Sequence, residues 1–78
     1  MRKLRVYRLL QGKPLREVAR DLRLPAYIVS AIERGEVEPS DRWIHRFEEV
    51  FGPEVAADLL APVDLAEALG PAIARLAE

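Results

Sequence analysis

The sequence predicts an all-α domain built around two short helices joined by a tight turn. Three observations predict it. Apolar residues recur at helical spacing along the chain, and no strand-like alternation is sustained. Gly and Pro punctuate it at Gly12, Pro14, Pro25, Gly35, Gly52 and Pro53, where helices stop and start. Between "LREVARDL" and "AYIVSAIER" only Arg23, Leu24 and Pro25 intervene. Helices linked this closely must cross steeply.

The first helix carries Leu4, Tyr7 and Leu10 or Gln11 on one face and stops at Gly12. Pro14 precedes or opens the second helix, whose inward residues are Leu15, Val18, Ala19 and Leu22. Pro25 opens the third, with the stripe Ile28, Val29 and Ile32, and Gly35 ends it. Ala19 lies where the second and third helices would cross, and its small side chain lets the backbones approach. Ser40 is a good N-cap for "DRWIHRFEEVF", which presents a wide face of Trp43, Ile44, Phe47, Val50 and Phe51. Gly52 stops that helix and Pro53 starts "PEVAADLL". After Pro62, Asp64 can cap a last segment with Leu65, Leu69, Ile73 and Leu76 on one side, kinked or split at Gly70-Pro71. The expected organisation is a domain over 1–61 and a helical tail over 62–78, which docks on the domain or pairs with a second copy.

A chain of 78 residues forms one small domain with a marginal core. Half of its residues are hydrophobic and about a third are charged, as in a folded soluble protein. No apolar run approaches the roughly 20 residues of a membrane helix. The basic N-terminus is broken by arginines and makes a poor secretory leader. With no cysteine, disulfides and thiolate metal sites are excluded. The cytoplasm is the expected compartment.

The net charge of −1 conceals an asymmetry. Met1 to Arg34 holds nine basic and three acidic residues, a balance of +6; Gly35 to Glu78 holds three basic and ten acidic, a balance of −7. A basic half of this kind suggests a polyanion-binding surface. Ordinary solvated helix faces are the plain alternative, as is attraction between the two halves.

The run "LRVYRLLQGKPLREVARDLRLPAYIVSAIERGEVEPS", Leu4 to Ser40, resembles the lambda-repressor-like helix-turn-helix family of the Cro and XRE type. The matching features are Leu4, Arg8, Gly12, Glu17 to Ala19, Leu22, Leu24, Ser30, Ile32 to Gly35, and Pro39-Ser40. The likeness covers roughly residues 4 to 60. It implies a five-helix domain that binds double-stranded DNA as a homodimer, with helix 26–34 in the major groove. It also implies an ion pair between Arg8 and Glu33.

The positions that read bases in that family fall here on Ala26, Tyr27, Ser30 and Ala31. Ala can touch a thymine methyl but donates nothing, Ser30 offers one hydroxyl, and Tyr27 has the longest reach. The Gln that family members often carry at the start of the second helix is Leu15. Their turn Gly is Arg23, which costs about 1 kcal/mol if the residue stays left-handed. Pro14 and Pro25 replace capping Ser or Thr. Glu36, Glu38 and Asp41 stand where the loop after the third helix often nears phosphate. Backbone-holding cations are better supplied, at Lys13, Arg16, Arg20, Arg23 and Arg34.

Other chemistry finds little support. His45 is the sole histidine and has no ligand-spaced partner, Ser30 has no base beside it in the motif, and no phosphate-cradling glycine loop occurs. No enzyme activity, metal or cofactor is expected. The competing reading is a protein-interaction module. "RLPAYIVSAIERGE" is also similar to a run in the cytoplasmic domain of the bacterial cell-shape protein RodZ, which binds a cytoskeletal partner. RodZ proteins have a transmembrane segment, and this chain shows none.

Overall fold

A computed structural model describes residues 1–64. They form five helices: α1 Lys3–Leu10, α2 Leu15–Leu22, α3 Ala26–Glu33, α4 Asp41–Phe51 and α5 Pro53–Leu60. No strand occurs among the described residues; Arg2 and Pro62 make one isolated antiparallel bridge. The expected last segment, with Leu65, Leu69, Ile73 and Leu76, lies outside them.

The helix ends follow local chemistry. At the end of α3 the Glu36 N–H donates to the Ala31 carbonyl and the Gly35 N–H to Ile32, with Gly35 at φ 78°. This is a Schellman closure, in which two turn amides return to the last turn of the helix. The same pattern ends α2, where the Leu24 N–H reaches Ala19 and the Arg23 N–H reaches Arg20. Here the left-handed residue is Arg23, at φ 57°. Pro14 and Pro25 sit at the N-cap positions of α2 and α3 and supply no side-chain cap. Ser40 does cap α4, its Oγ accepting from the Trp43 N–H at 3.3 Å.

The core joins all five helices. Leu4, Val18, Leu22, Val29, Ile32 and Phe47 are buried, with Ala19, Leu24, Ala56 and Leu59 closing it. Phe51 extends this core, with its ring edge-on to Tyr7 at 6.0 Å between centroids. Two residues depart from the expected faces. Leu10 is 82% exposed and Val50 also faces outward. Val6, Tyr7 and Leu10 line an open groove of about 510 Å³ together with Leu59 and Val63.

The chain start binds the ends of two helices. Arg2 N–H donates to the Glu33 carbonyl at 2.8 Å, Lys3 N–H to Ala61 at 2.9 Å, and Met1 carbonyl accepts from Val63 at 2.9 Å. The Arg2 side chain is buried against the same ends. Its guanidinium donates to the carbonyls of Leu60 (3.0 Å), Ile32 (2.7 Å) and Val37 (3.0 Å), and to the Glu38 carboxylate (2.8 Å). Carbonyls at helix C-termini lack intrahelical partners and carry partial negative charge. One cation thus satisfies α3 and α5 together.

Candidate nucleic-acid interface

The α2–α3 unit holds most of the residues singled out in the sequence. Its turn is fixed from two sides. Leu24 is buried beside Ala19, the apolar contact that accompanies a Schellman closure. From α4, Arg46 donates to the Arg23 carbonyl at 2.8 Å and Glu49 accepts from the Arg23 guanidinium at 2.9 Å. These bonds hold a left-handed conformation that an L-residue adopts at a cost of about 1 kcal/mol. Neither Arg46 nor Glu49 was marked by the sequence, because their partner lies more than twenty residues away and α4 carries no local signal for it.

Between α1 and this unit, Arg8 and Glu33 form a two-pronged pair. Arg8 Nε donates to Oε2 at 2.7 Å and Nη2 to Oε1 at 3.0 Å, while Nη1 reaches the Lys13 carbonyl at 3.1 Å. Glu33 is 3% exposed, so both of its oxygens depend on this fork. The hydrogen bond to Glu33 holds Arg8 more firmly protonated than a free guanidinium. The pair ties α1 to the end of α3 and to the loop entering α2.

The outward face of α3 carries Ala26 and Tyr27, both exposed, and Ser30 and Ala31, both half-exposed. Tyr27 is 73% exposed. Leu15 is not part of an open patch with them: it packs against the core. Ser30 Oγ accepts from Arg34 Nη1. The rest of the Arg34 guanidinium grips Glu36, with Nε to Oε1 at 2.9 Å and Nη2 to Oε2 at 3.0 Å. That grip holds the Glu36 carboxyl below the usual carboxylate range and the Arg34 guanidinium more firmly protonated.

The five expected phosphate cations therefore divide. Lys13 lies 3.7 Å from Asp21, Arg23 pairs with Glu49, and Arg34 pairs with Glu36. Arg16 and Arg20 are exposed, one turn apart on α2, and form no ion pair among the described residues. Exposed pairs exchange readily for other anions, since each is worth roughly 0–1 kcal/mol.

His45 lies on α4 with Nε2 3.0 Å from Glu49. No group of three or more His, Cys, Asp or Glu among the described residues could hold a metal ion. No helix among them is long and apolar enough to cross a membrane. The chain matches no protein-family model, no curated protein and no solved structure.

Proposed function

We propose that the chain is a DNA-binding transcriptional regulator of the lambda-repressor-like helix-turn-helix type, working in the cytoplasm. On this reading α3 enters the major groove with Ala26, Tyr27, Ser30 and Ala31 toward the bases. Arg16 and Arg20 hold phosphates from α2, and Lys13, Arg23 and Arg34 exchange their carboxylates for phosphate on contact. One observation carries it. A turn clamped from α4 presents a solvent-facing α3, with Tyr27 projecting from its first turn and, on the neighbouring helix, arginines that form no ion pair among the described residues. Two copies would sit on half-sites about 34 Å apart.

Gel shifts of duplex DNA at rising salt test the reading. Two to five phosphate contacts predict that log K falls with log salt at a slope of about −2 to −4.5. Binding that ignores salt, or no duplex binding at all, would overturn it. Sedimentation of the full chain, free and DNA-bound, tests the dimer.

The second reading is a protein-interaction module like the RodZ cytoplasmic domain. It draws on the carboxylates that neutralise three of the five cations. Selection from random DNA separates the two: an enriched motif supports the first, and none supports the second.

A further inference from the structure

The outward face of α3 holds few polar readers. Residues 26, 27, 30, 31 and 34 share that face by helical spacing. Arg34 bridges Ser30 and Glu36 in the free chain and turns to phosphate in the DNA-binding reading, so it reads no base, while the Ser30 hydroxyl keeps its proton. What faces outward toward bases is the methyl groups of Ala26 and Ala31, the Ser30 hydroxyl, and the ring and hydroxyl of Tyr27.

The base edges of the major groove offer this face little to pair with. A G·C pair presents two acceptors and an amino donor. An A·T pair presents two acceptors, an amino donor and the thymine 5-methyl. The polar inventories are alike in size, and the hydroxyls of Tyr27 and Ser30, each both donor and acceptor, pair with either. The 5-methyl is the difference that an apolar face can detect, by removing it from water against Ala and the tyrosine ring. We infer that this face selects duplex DNA through the 5-methyl groups of the major groove, so that thymine and 5-methylcytosine are the bases it favours. The inference rests on the DNA-binding reading above.

Four synthetic duplexes test it with the full chain: poly(dA-dT), the same polymer with deoxyuridine for thymidine, poly(dG-dC), and poly(dG-dC) with 5-methylcytosine. Each exchange changes one methyl per pyrimidine and leaves every hydrogen-bonding group in place. Burial of one methyl predicts about four-fold in affinity, and two or more buried methyls predict tenfold or greater. The expected order puts each methylated duplex above its demethylated twin. Tyr27→Ala narrows both gaps, whereas Tyr27→Phe, which keeps the ring, preserves them. Salt-dependent binding of equal strength to both members of each pair would overturn the inference and leave the DNA-binding reading standing. Binding to none of the four would overturn both.

Discussion

Arg2 and Arg20 are the same side chain in two regions of one small molecule. Arg2 lies 6% exposed between the C-termini of α3 and α5, with its guanidinium donating to three carbonyls and a carboxylate. Arg20 stands in solvent on α2 and meets no carboxylate among the described residues. Arg8 belongs with Arg2, held by Glu33 inside the fold; Arg16 belongs with Arg20. The basic half of the chain thus holds three groups. Arg2 and Arg8 close the fold. Lys13, Arg23 and Arg34 are paired at the surface, and Arg16 and Arg20 are presented with no ion pair among the described residues. A residue count cannot separate them, because each guanidinium's role depends on which carbonyls and carboxylates the other helices bring to it.

The sharpest way to break this contrast is to remove an inner arginine. Arg2→Met keeps much of the apolar stem and leaves the carbonyls of Ile32, Val37 and Leu60 without their side-chain donor. It should cost about 3 kcal/mol or more in urea or thermal unfolding. Glu38→Gln should cost less than about 0.5 kcal/mol, because the Glu38 side chain is exposed. If the two variants were equally damaging, the weight assigned to the carbonyls would be misplaced.

Next comes Glu33→Gln. It leaves the Arg8 fork facing a neutral amide in a buried site and should destabilise by about 2–4 kcal/mol. A loss below about 1 kcal/mol would place this pair with the surface bridges. Arg16→Ala with Arg20→Ala is the opposite case. Stability should change by less than about 1 kcal/mol, while the salt slope for duplex DNA should fall by about 2. A double variant that keeps the full slope would remove both residues from the interface.

The smallest effect belongs to Glu36. Its pairing with Arg34 holds the carboxyl below its ordinary value. The pair is therefore complete at neutral pH and is lost as the pH falls through that lowered value. Glu36→Gln should tighten DNA binding roughly two- to five-fold at pH 7. The gap between variant and wild type should close as the pH falls and the wild-type carboxyl protonates. A gap independent of pH would mean that Glu36 acts through something other than its charge.

Part of the architecture was legible in the chain, and the reasons differ by residue. Val18, Leu22, Val29 and Ile32 lie at helical spacing on the inner faces of α2 and α3, and local periodicity suffices to find such positions. Leu10 follows the same spacing yet is exposed, because periodicity names a face without saying how far the neighbouring helix extends. The candidate interface was legible as a set of positions: Ala26, Tyr27, Ser30 and Ala31 fall outward or half-outward on α3. Its electrostatics were not. The bonds Arg23–Glu49 and Arg46 to the Arg23 carbonyl, and the placing of Arg2, span twenty to sixty residues of chain.

The sequence by itself determined the helices, their stops and the short α2–α3 connection, since spacing, Gly and Pro act on neighbours within a few residues. Among the described residues, the tertiary structure alone decided which cations are interior, which are paired and which are presented. Charge is a long-range and easily satisfied property. Its meaning at any residue depends on what the fold places opposite it.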